Sequence, residues 1–173
     1  ETIKGEIALA DAQIQRMLWL KVSRVYEFEL RDLQHAEEAN IRVLQIEPKD
    51  PDALLSQVLM ASTYPLEIVA AERWVKANPG LKDKALEDAL QQQTWDPSVK
   101  SLAVFPQVLT MMSEKIDWTQ QLGDAFLAQQ KEVMATAQAL RAKASAQGSL
   151  KDSKEQKVVT EKVENTTLIK IEP

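Results

Sequence analysis

Apolar residues recur at helical spacing through most of the chain, and the two clearest stretches each follow an aromatic-proline step. After Tyr64-Pro65, the residues Leu66, Val69, Ala70 and Trp74 repeat with a helical period, and Ile68 widens the stripe. After Phe105-Pro106, Val108, Leu109, Met112 and Ile116 do the same. Proline suits the first position of a helix, where its missing N–H would have had no intrahelical partner. Its ring also drives the preceding residue out of the α region. The pattern therefore predicts two inner helices opened by extended corners at Tyr64 and Phe105. Aromatic rings mostly serve burial, so Tyr64, Pro65, Trp74, Trp95, Phe105, Pro106, Trp118 and Phe126 are expected as structural anchors.

The remaining helices follow from the same period. A first helix is expected over residues 1–24, with Ile7, Leu9, Ile14, Leu18, Val22 and Val25 apolar and Gly5 before its start. A second runs from about Leu30 to Ile46 and closes at Glu47-Pro48. The third is Pro51–Ser62, with Asp50 as N-cap. The Pro65 helix stops at Asn78-Pro79-Gly80, a breaker cluster. An amphipathic helix follows over 81–93, then a turn at Trp95-Asp96-Pro97 with Asp96 as cap, then a short helix over 98–104. Asp117 is placed to cap a helix over 118–129, with Leu122, Phe126 and Leu127 inward. Gly123 inside it costs about 1 kcal/mol against alanine, which implies a close approach there. The last helix, 131–146, carries Val133, Met134, Ala137 and Leu140 inward, and Gly148 stands where a C′ residue belongs.

Beyond Gly148 the pattern changes period. Residues 149–156 are polar and lysine-rich, as in a linker. Val158, Val159 and Val163, then Thr166, Thr167, Leu168, Ile169 and Ile171, are β-branched or apolar at strand density, with Glu164-Asn165 as the turn. This predicts a hairpin. Two strands alone are marginal in water, so the hairpin is expected to pair with another protein or with further strands of the chain. Val159, Val163, Leu168, Ile169 and Ile171 are the candidate partner-binding residues. The fold class is mainly α, a multi-helix orthogonal bundle with a C-terminal β-hairpin. The expected divisions are an N-terminal helical pair over 1–48, a helical core over 49–148, and a linker and hairpin over 149–173.

Composition narrows the function classes. The 173 residues suffice for one domain, or one with an appendage. A net charge of −5 argues against nucleic-acid binding, which needs a basic face to displace counterions. The apolar runs are too short to span a bilayer. Cysteine is absent, which excludes disulfides and thiolate chemistry. No secretion signal opens the chain, and a start at Glu1 rather than Met suggests a processed or trimmed product.

Candidate chemistry is sparse. His35 is the sole histidine, expected on the solvated surface beside Glu38, and a metal site would need further nitrogen or sulfur ligands. The acid pairs Glu37-Glu38 and Asp83 with Glu87 are expected on soluble helix faces, not in a pocket that would tune their pKa values. Gly80, Gly123 and Gly148 are isolated, so no phosphate loop is formed. Ser62-Thr63 lacks a histidine base that would activate a hydroxyl. No catalytic, cofactor-binding or metal-binding residue is assigned, and the chain is expected not to be an enzyme.

Two resemblances extend this reading. Trp19, Val22, Ser23 and Tyr26 stand where a tetratricopeptide repeat has W-x2-L-G-x2-Y, and Ala36, Val43 and Pro48 match its second helix. The link between the helices is one residue longer than that repeat's, and Ser23 replaces its glycine. An ordinary αα-hairpin packed on the following helices fits the same residues. Separately, Pro51–Lys82, Trp95–Met112 and Ile116–Gln129 resemble the bacterial domain-of-unknown-function family numbered 3300 over about residues 50–173. That resemblance implies an exported envelope protein of Gram-negative bacteria, periplasmic or outer-membrane-associated. It implies no activity or cofactor. The expected function is non-enzymatic protein binding in the envelope, and the alternative is a tetratricopeptide-like scaffold that docks a peptide.

Overall fold

The computed structural model describes residues 11–154, 156–163 and 166–172, and the side chains of these other than Phe28, Lys162, Val163 and Thr166. The expected start of the first helix, the Glu164-Asn165 turn and Pro173 lie outside the described residues. The chain runs α1 (Ala12–Arg24), a π-helical turn (Val25–Leu30), α2 (Leu33–Ile46), α3 (Pro51–Ala61), α4 (Pro65–Ala77), α5 (Asp83–Gln91) and α6 (Pro97–Ser101). A 3-10 turn (Leu102–Val104), α7 (Pro106–Glu114), α8 (Ile116–Ala128), α9 (Gln130–Ala146), β1 (Lys157–Val163) and β2 (Thr166–Glu172) complete it. The fold is mainly helical with a C-terminal antiparallel hairpin, as the periodicity predicts. Among the described residues no single helix is long and apolar enough to cross a membrane.

Residues group into two compact units. One holds 1–56 with 129–173, and the other holds 57–128, with α3 passing from the first to the second. This grouping differs from the division expected from the sequence, because the last helix and the hairpin join the N-terminal helices.

The unit of residues 57–128 is organised by the aromatic-proline corners. Tyr64 adopts φ −120°, ψ 58° and Phe105 φ −119°, ψ 67°. Both have left the α region, as the following proline demands, although ψ falls short of a strand value. The helices they open, α4 and α7, pack chiefly on each other. Ile68, Ala71, Val99, Leu102, Leu109, Met112 and Phe126 form the dry interior. Glu67 Oε2 accepts the Asp96 N–H at 2.6 Å, which joins the first turn of α4 to the cap of α6.

Several expected anchors lie elsewhere. Phe126 is fully buried, and Trp74, Trp95 and Phe105 are half-buried. Trp74 meets Trp95 edge-on, with centroids 5.8 Å apart. Tyr64 and Trp118 are exposed, at 41% and 45%, because α4 turns Ile68, Ala71 and Glu72 inward and α8 turns Thr119, Gly123 and Phe126 inward. The same rotation leaves Leu66 at 84% and Leu127 at 63% exposed. Because α8 begins at Ile116, Asp117 lies in its first turn rather than at the cap. A β-carbon at Gly123 would overlap the backbone of Ser62, which is the close approach that this glycine implied.

In the unit of residues 1–56 and 129–173, α1 and α2 pack as a helical hairpin. Asp11 caps α1 through the Ile14 N–H, and Asp32 caps α2 through the His35 N–H. A π-helical turn, Val25–Leu30, continues α1 into the link. Arg31, at φ 54°, then reverses the chain. The inward side of α1 and the π-helical turn is not the expected Ile14, Leu18, Val22, Val25 stripe: Ile14 and Val25 are exposed, and Ser23 and Glu27 are buried. Glu37 is likewise buried, unlike its neighbour Glu38. No residue of α9 is fully buried, and Leu140 is 62% exposed. Gly148 ends α9 at φ 71°, the left-handed conformation that closes a helix.

Candidate functional site

The hairpin has one guarded edge and one open edge. Its register pairs Lys157 with Glu172, Thr160 with Ile169, and Val163 with Thr166. In an antiparallel ladder, alternate residues point both backbone groups away from the partner strand. Ile169 is such a residue on β2. Its N–H donates to Gln138 Oε1 at 2.9 Å, and its carbonyl accepts from Arg141 Nη1 at 3.1 Å, both on α9. The outward-pointing residues of β1 are then Val158, Thr160 and Lys162. Val158 N–H donates to Asp152 Oδ1 at 2.8 Å. Among the described residues nothing bonds the outward N–H and carbonyl of Thr160, whose side chain is exposed. So α9 covers the centre of β2's outer edge and leaves that of β1 free.

The five residues expected to bind a partner fall on these strands. Ile169 is buried, and Val159, Leu168 and Ile171 are half-buried. The side chain of Val163 lies outside the described ones. Glu161 pairs with Lys170 across the strands. The hydrogen bond from Lys170 holds the Glu161 carboxyl below its usual range, helped by the charges of Lys170, Arg24 and Lys21.

The residues that hold β2 also line a cavity of about 40 Å³, together with Ser23, Glu27, Asn40 and Asp52. Sequence built this cluster from a polar stripe at helical spacing that runs from α1 into the π-helical turn: Arg16, Ser23 and Glu27. Arg16 Nε donates to Asp50 Oδ2 at 2.6 Å. Asp50 Oδ1 meanwhile accepts the N–H groups of Asp52 and Ala53, so the cap of α3 is itself anchored to α1. Arg141 Nη1 donates to Asp52 Oδ1 at 2.8 Å, and Arg24 Nη2 lies 3.6 Å from Asp52 Oδ2. Glu27 is 2% exposed and its Oε1 has no partner; Asn40 is 1% exposed and its Nδ2 has none. Burial pushes the Glu27 carboxyl up to about 7, against the opposing charge of Arg24. A space of this size takes a few waters and no organic substrate, whose pockets run to several hundred Å³.

A second concavity, about 630 Å³ and half-open, lies along α1 and α2 and is lined by Trp19, Val22, Tyr26, His35, Arg42 and Ile46 among others. His35 is less free than a solvated surface residue: its ring stacks on Tyr26 at 5.0 Å, and its Nδ1 lies 2.7 Å from Asp32 Oδ2. The hydrogen bond from the His35 backbone N–H leads the effects that lower the Asp32 carboxyl. Among the described residues no group of three or more His, Cys, Asp or Glu is placed to hold a metal.

Sequence reasoning placed the hairpin but missed Glu27, Asn40 and Arg141. The signal available was the Arg16, Leu20, Ser23, Glu27 spacing, which marks one helical face as clearly as the apolar stripe does.

Comparison with known proteins agrees with the resemblance read from Pro51–Lys82 and the segments after it. Over 110 residues the chain is 54% identical to the uncharacterized protein YacH of Escherichia coli (strain K12), a match that covers 64% of this chain and 18% of that protein. The chain therefore spans a minor part of the length of that relative. No solved structure matches. The family model described as a protein of unknown function (DUF3300) matches residues 49–173, nearly three-quarters of the chain, and the chain belongs to that family.

Proposed function

We propose that this chain is a non-enzymatic cell-envelope protein that binds an extended segment of another protein along the outer edge of β1. The observation that carries the reading is the asymmetry of the hairpin: Gln138 and Arg141 occupy the outward groups of Ile169, while among the described residues nothing occupies those of Thr160. An extended peptide laid on such an edge gains main-chain hydrogen bonds, and alternate side chains supply selectivity. The envelope location rests on the family resemblance and the exported character it implies. Capture from a Gram-negative envelope extract tests both parts. The intact chain is expected to retain a specific protein that is lost when residues 157–173 are removed. Equal capture by both chains, or none by either, would count against it.

A peptide-docking role for the α1–α2 groove is the second reading, favoured by its volume and by the half-buried line of Trp19, Val22 and Tyr26 along it. A Trp19→Ala variant that keeps its fold and loses the captured protein would move the docking surface to that groove.

A further inference from the structure

The cavity and the hairpin share two side chains. Gln138 and Arg141 line the space that holds Glu27, and the same two residues hold both backbone groups of Ile169. Arg141 Nη1 serves Asp52 and the Ile169 carbonyl together. The charged groups around the cavity are Arg24, Asp52 and Arg141; α2 contributes the amide of Asn40, and α1 the hydroxyl of Ser23.

We propose that Glu27 is a proton-operated latch on the hairpin: its neutral carboxyl leaves Arg141 on Asp52 and Ile169, and its carboxylate draws Arg141 across the cavity and frees β2 from α9. Two acids compete for one desolvated cation. A buried carboxylate needs a paired charge. Arg141 is 12% exposed and Arg24 is 47% exposed. Arg24 is the charge that already acts on Glu27, but at its exposure water screens it more than it would screen Arg141 drawn into the cavity. With Glu27 neutral, Asp52 faces two arginines. Ionised, Glu27 restores two acids to two bases, and the arginine it recruits leaves the Ile169 carbonyl without its donor. Glu27 Oε1 is buried without a hydrogen-bond partner, so it is free to accept one from a residue lining the same cavity. Burial raises this carboxyl to about 7, so the change falls in the neutral range. The latch stands whether or not the edge of β1 binds a protein, since its readout is the Ile169 N–H.

Amide hydrogen exchange on the full chain from pH 5.5 to 8.5 tests it, read as protection relative to the unfolded rate. The Ile169 amide is expected to lose protection by about tenfold through neutrality, and to stay level in Glu27→Gln. Constant protection in the native protein, or an equal loss in Glu27→Gln, would overturn the latch. Should Glu27→Gln not fold, the native protein alone decides. The carboxyl carbon shift of Glu27 must titrate with the same midpoint as the Ile169 protection, and separate midpoints would refute the coupling.

Discussion

Gly123 on α8 lies so close to Ser62 that a β-carbon would overlap the Ser62 carbonyl. The neighbour is backbone, and Ser62 is held there by its hydroxyl, which donates to the Leu59 carbonyl at 2.6 Å. Gly123→Ala gains about 1 kcal/mol of helix propensity. The overlap outweighs it, since overpacking a well-filled interior costs about 1–3 kcal/mol. The expected outcome is a lower denaturant midpoint by circular dichroism. A midpoint at or above that of the native protein would mean that α8 can move away from Ser62.

The rotation of α4 gives a paired test. Leu66 and Ile68 both belong to the apolar stripe read from the sequence, yet Leu66 is 84% exposed and Ile68 is fully buried. Leu66→Ser is expected to change stability by no more than about 0.5 kcal/mol. Ile68→Ala is expected to cost about 2–5 kcal/mol, through lost burial and the cavity left behind. Similar costs for both would place Leu66 in the interior.

These two residues also mark what the sequence reveals. The corners at Tyr64 and Phe105 are legible because proline acts on its immediate neighbour, and both steps give nearly the same backbone angles. Which way each helix then faces depends on distant partners. On α4 the stripe through Leu66 and Trp74 is more apolar, but the face that is buried is the one that carries Ile68 and Ala71. In α1 and the π-helical turn the difficulty is sharper, because the inward face carries Ser23 and Glu27, and a hydrophobic period cannot report a face made of polar groups. The hairpin is legible from its β-branched run. Its guarded edge is not, since that depends on Gln138 and Arg141, some thirty residues away in sequence.

Glu27 ties stability to pH. Its folded pKa, about 7, stands above the ordinary carboxylate value of 4.5. Between those values the folded chain binds the proton that the unfolded chain has released. The stabilisation is complete below about pH 4.5 and is lost as pH rises through about 7, with a full span on the order of 3 kcal/mol. Denaturant titrations at pH 5 and pH 8 are expected to differ in this sense, with the difference much reduced in Glu27→Gln. A native protein more stable at pH 8 than at pH 5 would contradict the burial of this acid.

Arg141 joins α3, α9 and β2 through one nitrogen. Arg141→Met removes the hydrogen-bond donor and leaves the Asp52 carboxylate, which is 19% exposed, with the more exposed Arg24 at 3.6 Å. A broken buried pair costs about 3–5 kcal/mol, and the residual exposure here argues for the lower end. Asp52→Asn in the same chain is expected to recover part of the loss, because the neutral amide needs no cation. Strictly additive losses in the double variant would mean that the two residues do not act as a pair.

Thr160 and Glu161 stand side by side on β1 but point their backbone N–H groups in opposite directions. Thr160 faces outward, and Glu161 faces its partner Leu168 on β2. Proline removes one N–H, and an edge strand tolerates it only where that N–H was free. Thr160→Pro is therefore expected to keep the hairpin, with an unchanged Ile169 amide resonance, whereas Glu161→Pro breaks the ladder and shifts it. If the outer edge of β1 is where an extended segment binds, Thr160→Pro also abolishes capture from the envelope extract while the fold persists. Capture that survives Thr160→Pro would remove the edge of β1 from consideration and leave the α1–α2 groove, with Trp19 and Tyr26, as the surface to test.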